Sequence, residues 1–382
     1  MSRKVVIVIC KEVVSDLSEK ELWFWLCNLP GIGQIKLTKL LKAFSDPRDI
    51  FCCDIHNLEH IEGLKPVDYS TILENRCITN IKKMMESMKR KNISFISYGD
   101  YEYPLKLRDI YDPPYGLYSI GSLPEASSIS LAIIGARNCS PYGMEVARYF
   151  SSRLAKAGVQ VISGMARGID SYGHEGALEA GGYTLAVLGS GIDYCYPKEN
   201  IELYMRLEQK GGILSEYGPG VLPKAGHFPM RNRIISGLCD GILVIEAKGK
   251  SGSLITADQG LEQGKDVFSI PGRISDPLSV GTNQLIKYGA QIVTSPEELL
   301  EYYNLPLTSE VITSKSRNYV DLKEEEERVF NVLSLEPTHI SSLSQQLTID
   351  IGNLMKVLLQ LEKMRLVVQT SKNFYIRVLS EG

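Results

Sequence analysis

Several signatures common in other protein classes are missing from this chain of 382 residues. Its eight cysteines include no Cys-X-X-Cys pair, so we expect small, reduced side chains rather than a metal site or a disulfide framework. No apolar run approaches the roughly 20 residues of a membrane span. The apolar stretch Val5–Cys10 is too short for the core of a signal peptide. We therefore expect a soluble, cytoplasmic protein.

The chain also lacks the local patterns of familiar catalytic sites. There is no nucleophile beside a general base, no paired-carboxylate spacing, no metal-ligand cluster and no Walker motif. The formal net charge is only -3, so any nucleic acid would have to meet a local basic patch. Length and a hydrophobic fraction of 44% predict two or three well-packed domains. These absences favour a binding protein without cofactor or metal.

Six short apolar runs in the middle of the chain each end in a turn that opens a helical pattern. They are LAIIGARNCSPYG, VQVISGMARGID, YTLAVLGSGIDYCYPKEN, ILSEYGPG, GILVIEAKGKSGSLITA and DVFSIPGR. Short buried strands that alternate with helices predict an α/β fold with a doubly wound, mostly parallel, Rossmann-like sheet. Ligands on such a sheet bind at the carboxyl ends of the strands. The turns there carry Arg137, Arg167, Lys198, Lys248 and Lys250, which predicts an anion site and favours phosphate.

Arg137 and Lys198 are the leading candidates for that site. The run Leu131–Ile134 stops at Gly135-Ala136-Arg137, a spacing that differs from the dinucleotide fingerprint. Arg137 can meet a phosphate bidentately or stack on a base, and the alternative is a surface arginine bridged to a carboxylate. Lys198 stands at the head of a helix and offers a second phosphate contact.

Three further turns are candidates with open alternatives. Ser163-Gly164 ends a strand, Asp170 can cap the next helix, and His174 lies on the same helical face, which favours a structural pair over a metal site. The sequence places Arg231, Asn232 and Arg233 at another helix start, where they either contact the ligand or are held by Glu216 and Glu246. The stretch SGSLITADQGLEQG offers hydroxyl and N–H groups at a further helix start.

The segments before and after the six apolar runs differ from them in composition and hydrophobic periodicity. Residues 16–92 read as a small helical domain, in which the turn Pro30-Gly31-Ile32-Gly33 between two helices either grips DNA phosphates or only turns tightly. Residues 93–304 form the sheet domain, entered through a Tyr- and Pro-rich extended stretch, and residues 305–320 a polar linker. Residues 321–378 predict three helices and a hairpin, a winged helix. Seven basic and nine acidic residues in 321–382 indicate a protein-contact module or a weak DNA module.

The motifs together resemble the DNA-processing protein A family (DprA/Smf). The matching segments are DPPYGLYSIG, IIGARNCSPYG, SGMARGID, AVLGSGIDYCYPKEN, LSEYGPG, HFPMRNRIISGL, EAKGKSGSLITADQGLEQGKDVFSIPG and GTNQLIKYGA, in this order. The resemblance implies an extended Rossmann fold with an N-terminal SAM-like or helix-hairpin-helix-like domain and a C-terminal winged helix. It implies binding of single-stranded DNA without sequence preference, protection of incoming DNA in natural transformation, loading of the RecA recombinase, and a homodimer.

The family motif also implies which residues line the DNA pocket. Its arginine and its YPK lysine correspond to Arg137 and Lys198, and Ala136 stands where serine is common. From their places in these motifs, the predicted DNA-binding set is Gly135, Ala136, Arg137, Ser163, Gly164, Arg167, Lys198, Arg231, Asn232 and Arg233.

Two rival functions remain open. The sheet and its Gly turns also resemble lysine-decarboxylase-like nucleotide hydrolases, whose PGGxGTxxE motif has its counterpart in SGSLITADQ, where Gln259 stands at the carboxylate position. Loss of that carboxylate leaves no evident general acid or base. The other rival is a non-catalytic interaction scaffold with a vestigial pocket.

Overall fold

The structure is a computed structural model that describes residues 14–306 and 322–379. The apolar stretch Val5–Cys10 and nearly all of the predicted linker, from residue 307 onward, lie outside the described residues. No helix in the described ranges is long and apolar enough to cross a membrane. The same ranges contain no cluster of three or more His, Cys, Asp or Glu side chains that could hold a metal ion.

The helices and strands follow the alternation that the apolar runs predict. The helices are α1 Glu19–Cys27, α2 Gln34–Phe44, α3 Pro47–Cys52, α4 Ile55–Glu59, α5 Pro66–Glu74, α6 Ile78–Arg90, α7 Leu105–Arg108, α8 Pro141–Lys156, α9 Ile169–Glu179, α10 Ile201–Lys210, α11 His227–Leu238, α12 Gly252–Glu262, α13 Val280–Lys287, α14 Pro296–Tyr302, α15 Glu324–Val332, α16 Ile340–Leu347 and α17 Ile351–Lys363. The strands are β1 Ser94–Ser97, β2 Gly116–Gly121, β3 Ser130–Ile134, β4 Gln160–Ser163, β5 Thr184–Leu188, β6 Gly212–Ser215, β7 Gly241–Val244, β8 Asp266–Ser269, β9 Gln291–Ile292, β10 Thr338–His339, β11 Val367–Ser371 and β12 Phe374–Arg377.

Within the described chain, nine strands form one mostly parallel sheet in the order β1-β2-β6-β5-β4-β3-β7-β8-β9. The pairs β3–β4, β4–β5, β3–β7, β7–β8 and β8–β9 are parallel, whereas β1–β2 and β2–β6 are antiparallel. All six apolar runs are strands, β3 to β8. The predicted doubly wound α/β fold is therefore confirmed.

The chain divides into two compact units. The first contains the described residues up to Ala126 together with Val187–Leu238, and the second contains Ser127–Ala186 and the described residues from Cys239 onward. In the first unit, α1 begins at a capping box in which the Ser18 hydroxyl accepts from the Glu21 N–H and the Glu21 carboxylate accepts from the Ser18 N–H. The helix is buried around most of its circumference, since all five residues from Leu22 to Leu26 are buried.

The second unit has a core of continuous apolar strands. Leu131 and Ile133 of β3, Val161 of β4 and Leu243 of β7 are fully buried and pack against α8 and α9. Parallel strands covered on both faces need such runs, because neither face meets water.

Residues 322–379 confirm the predicted winged helix. Helices α15, α16 and α17 and a three-stranded sheet in the order β10-β12-β11 surround a separate apolar cluster that includes Val329, Leu343 and Leu358. The sequence predicted only two of these strands, because β10 is two residues long and shows no periodicity.

Two local predictions were wrong. Helix α11 begins at His227, one turn before Arg231, because Pro229 is accommodated in the first turn, where a missing N–H costs little. Asp170 does not cap α9: the cap position is Gly168, with a φ of 79°, and the Asp170 carboxylate instead accepts from the N–H of Gly164 at 3.2 Å.

Candidate nucleic-acid interface

The turn after β3 presents Arg137 on a rigid backbone. Arg137 is exposed, whereas the preceding Ala136 is buried. A Cβ added at Gly135 would lie 2.7 Å from Cγ1 of Ile169 and 2.9 Å from the Glu246 carbonyl oxygen, so only glycine fits there. The small residues before Arg137 thus let the turn pack tightly while its last side chain faces solvent.

The turn after β4 packs directly on the turn that carries Arg137. The Ile169 N–H donates to the Ala136 carbonyl at 3.2 Å. Gly168 has a φ of 79°, and a Cβ there would lie 2.6 Å from the Arg137 carbonyl oxygen. The Ser163 hydroxyl donates to the Ile133 carbonyl at 2.6 Å. The structure therefore brings the two predicted turns together, with Ser163 and Gly164 buried in their support and Arg167 exposed beside it.

A buried carboxylate that the sequence did not place here holds the start of α8. Glu246, only 3% exposed, follows β7 and accepts hydrogen bonds from the N–H of Ser140, at 2.9 Å, and from the Ser140 hydroxyl. The Ser140 hydroxyl in turn accepts from the Gly143 N–H at 3.0 Å. Burial raises the pKa of Glu246, and its hydrogen bonds with Ser140 oppose that shift. The N-terminus of α8 is therefore occupied by a protein carboxylate, which disfavours a phosphate at the same N–H groups.

Lys198 lies in the first unit, at the start of a short 3-10 helix that leads into α10, and it is exposed. Two residues earlier, Tyr196 is 43% exposed, and its ring lies 5.5 Å, centroid to centroid, from the ring of Phe228. Tyr217 stacks on His227 at 4.1 Å with an interplanar angle of 16°. Sequence reasoning missed these four aromatic side chains.

The three residues in the middle of α11 differ in exposure from the cations above. Arg233 is 3% exposed; both of its Nη2 contacts with Glu216 are 2.7 Å long, and its Nη1 donates to the Asp112 carbonyl at 2.6 Å. Arg231 is 4% exposed, donates to the Val187 carbonyl and contacts the Asn232 side chain at 3.2 Å. Of the two alternatives for Arg233, the structure supports the one in which Glu216 holds it.

The remaining candidates have local partners. His174 is fully buried, and its Nδ1 lies 2.6 Å from the Thr184 hydroxyl, which fits the structural role predicted for it. In the stretch SGSLITADQ, the Ser251 hydroxyl caps α12 by accepting from the Ser253 N–H. Lys248 and Lys250, just before this cap, are exposed.

Two lysines of the N-terminal hairpin contact groups of their own domain. Lys36 donates to the Gly31 carbonyl at 3.0 Å and to Asp68 at 2.6 Å, and Lys39 donates to the Glu62 carbonyl at 2.9 Å. Gly31 has a φ of 70°. These contacts favour the compact helical bundle over a phosphate grip at this turn.

Fold and turns together define a doubly wound α/β protein whose strand ends present exposed cations on tightly packed turns. The sequence model of DNA recombination-mediator protein A matches residues 94–304. The chain belongs to this family, also called DNA processing protein A (DprA) or Smf, as the motifs indicated.

Relatives and solved structures agree with this assignment. The Smf protein of Synechocystis is 32% identical over an alignment of 386 positions, gaps included, that covers 92% of this chain and 97% of that protein. DprA of Streptococcus pneumoniae is 46% identical over 198 residues, 52% of this chain and 70% of that protein. The crystal structure of S. pneumoniae DprA has a TM-score of 0.65 at 35% identity and covers 75% of this chain and 98% of its own. DprA of Helicobacter pylori, a structure that concerns its single-stranded DNA binding mode, has a TM-score of 0.51 at 30% identity and covers 55% of this chain and 95% of its own.

Proposed function

We propose that this protein binds single-stranded DNA without sequence preference and is not an enzyme. The observation that carries the proposal is the exposure of Arg137 and Lys198 on turns that follow sheet strands, in a family with a member known for single-stranded DNA binding. Backbone phosphates attract such cations whatever the base sequence. Each of the two side chains holds a phosphate, and Arg167 adds a further exposed charge.

The other residues of the predicted set support these contacts. Gly135, Ala136, Ser163 and Gly164 shape the turn that presents Arg137. Arg231 and Arg233 are buried in the middle of α11 with the half-buried Asn232 between them, and we assign all three a structural role. DNA affinity then depends on few cations, in keeping with the small net charge.

The test is the salt dependence of oligo-dT binding in Arg137→Ala, Lys198→Ala and the double variant. Hydrogen bonds to charged groups contribute about 1.5–3 kcal/mol each, so each loss should weaken binding about tenfold or more. Each phosphate contact on a single strand contributes about 0.7 to the slope of log K against log salt. The slope of log K against log salt should therefore be smaller in magnitude by about 1.4 for the double variant than for the parent protein.

A matched control separates these contacts from general charge loss. Lys287→Ala, at the end of α13, also removes one exposed cation and should leave oligo-dT affinity nearly unchanged. Unchanged affinity of the double variant in a gel-shift titration, with the fold intact by circular dichroism, would refute the proposal.

We further propose that the protein acts as a homodimer, protects incoming DNA and helps to load RecA during natural transformation. The support for this part is family membership alone. RecA filament formation on oligo-dT coated with single-strand-binding protein should be faster with the parent protein than with the Arg137→Ala/Lys198→Ala variant. Equal rates would contradict RecA loading and leave DNA binding itself standing. Sedimentation velocity tests the dimer.

A further inference from the structure

The first unit, which contains Lys198, carries two pairs of aromatic rings. Tyr196 and Phe228 lie 5.5 Å apart with their planes tilted by 40°, and Tyr217 and His227 are stacked at 4.1 Å. Tyr196 is the most exposed of the four residues, at 43%, and the other three are half-buried. An exposed aromatic residue two positions before an exposed lysine can be reached by a ligand that has both a phosphate and a flat base.

The rings are held by the backbone around them. A Cβ added at Gly189, just after β5, would lie 2.8 Å from Cδ1 of Phe228, so the backbone of Gly189 packs against that ring. The Gly189 carbonyl also lies 3.2 Å from Nδ1 of His227. The segment before Tyr196 is held by the Ser190 hydroxyl, which donates to the Tyr194 carbonyl at 2.9 Å.

The second pair is anchored just as firmly. The Tyr217 N–H donates to the Ser215 hydroxyl at 3.0 Å, and that hydroxyl donates to the Ser190 carbonyl at 2.6 Å. Burial lowers the pKa of His227, so its ring is neutral at neutral pH and stacks as an uncharged aromatic. Ligand binding therefore orders few additional groups, which keeps the entropic cost low.

We propose that Tyr196, backed by Phe228, is a stacking platform for a base of the single strand whose phosphate Lys198 holds. This inference rests on the proposed function and deepens it, because it adds a base contact to the phosphate contacts. Tyr196 and Lys198 are two positions apart, with only Pro197 between them. Their Cα atoms therefore lie at most about 7 Å apart, so ring and ammonium act on neighbouring parts of the strand. Every base has a π-face, so a stacking contact adds affinity without sequence preference.

The test compares two ligands of equal length at one salt concentration: oligo-dT and a single strand with abasic sites throughout. Stacking on an aromatic side chain changes affinity by about fivefold to over a hundredfold per base. Tyr196→Leu should therefore weaken oligo-dT binding by at least about fivefold and change binding of the abasic strand less than twofold. Tyr196→Phe should bind both ligands like the parent, and Lys198→Ala should weaken both.

Tyr288→Leu is the matched control, since Tyr288 is 82% exposed and follows α13 in the second unit. It should change neither affinity. A second readout is an oligonucleotide that contains 2-aminopurine, whose fluorescence is quenched by stacking: the parent should quench it more strongly than Tyr196→Leu at saturation.

These experiments distinguish a failure of the proposed DNA binding from a failure of the stacking platform. If the parent protein does not bind oligo-dT, the proposed function is refuted, and the platform with it. If the parent binds but folded Tyr196→Leu loses nothing, or loses equal affinity for both ligands, the platform is refuted and the phosphate contacts stand.

Discussion

Replacing Arg233 by methionine tests whether this arginine supports the fold or touches the ligand. The guanidinium is 3% exposed and has three anchors: the Glu216 carboxylate at 2.7 Å, the Asp112 carbonyl at 2.6 Å, and the Asp112 carboxylate, 3.0 Å from Nε. Methionine fills part of the volume but leaves Glu216 without its cation.

The expected cost is large because one half of a buried ion pair remains. Removal of one partner of such a pair destabilises a protein by about 3–5 kcal/mol, mostly because the other charge stays buried. Replacing both partners with apolar residues is often neutral. The Glu216 side chain keeps 17% of its surface exposed. We therefore expect Arg233→Met to lose about 3 kcal/mol, the lower end of this range, and Arg233→Met/Glu216→Leu to recover most of that loss.

The loss should depend on pH. Burial raises the pKa of Glu216, and Arg233 opposes this shift, so the pKa rises further in the variant. Above that pKa the carboxylate is charged and unpaired, and the loss is largest. As the pH falls below the pKa of Glu216 in the folded variant, Glu216 becomes protonated and neutral. In the unfolded chain the same carboxyl group is protonated only near pH 4.3. Proton uptake therefore stabilises the folded variant, and the stability difference from the parent becomes smaller.

The assay is urea unfolding followed by tryptophan fluorescence. Both tryptophans of the chain, Trp23 and Trp25, lie in α1 and so report on the unit that contains Arg233. Arg90→Met in the same unit is the matched control, because Arg90 forms only an exposed pair with Glu86 and should change stability little. Unchanged stability of Arg233→Met, together with a tenfold or greater loss of oligo-dT affinity, would show that Arg233 contacts DNA and that the structural assignment is wrong.

Three further predictions concern other parts of the chain. Gly168→Ala should weaken oligo-dT binding, whereas Gly181→Ala should not. Both substitutions force alanine to a positive φ, at a cost of about 1–3 kcal/mol, but only the Cβ added at Gly168 meets neighbouring backbone. Equal oligo-dT affinities of the two variants in a gel-shift titration would contradict this prediction. Truncation after Asn304 should keep oligo-dT affinity within about tenfold of that of the full chain. The reason is that the winged helix has its own core and too few cations for a strongly salt-sensitive DNA site. A larger loss of affinity in a folded fragment would show that the winged helix is a principal DNA site. The protein should release no base or ribose from nucleoside monophosphates by chromatography, and turnover that disappears on changing Asp258 or Gln259 would favour the hydrolase.

Most of the fold could be predicted from local pattern. The six apolar runs are all strands, because a parallel strand buried on both faces must be apolar throughout and therefore stands out in sequence. Helix boundaries were less secure. Pro229 reads as a break but lies within the first turn of α11, and Asp170 reads as a cap but turns back to Gly164. In both cases two local structures compete, and the residue type alone does not show which of them forms.

The positions of Arg137 and Lys198 could be predicted because each follows a recognisable strand end. The aromatic platform could not, since Tyr196 and Phe228 are separated by α10 and β6 and meet only in the folded protein. The same holds for Glu246, which is 106 residues from Ser140 and still occupies the N-terminus of α8.

The sequence by itself determined the class of fold, the order of strands and helices along the chain, and the turns that carry the cations, because these depend on burial patterns and backbone preferences within a few residues. Only the tertiary structure decided which arginines face solvent. Arg137 and Arg233 are the same residue type, and the sequence placed both among the candidates for the ligand, yet Glu216 and Asp112 enclose Arg233, while the turn before Arg137 leaves its side chain exposed. Whether a charge is available to a ligand depends on which groups the fold places around it, and a residue's neighbours in sequence do not determine those groups.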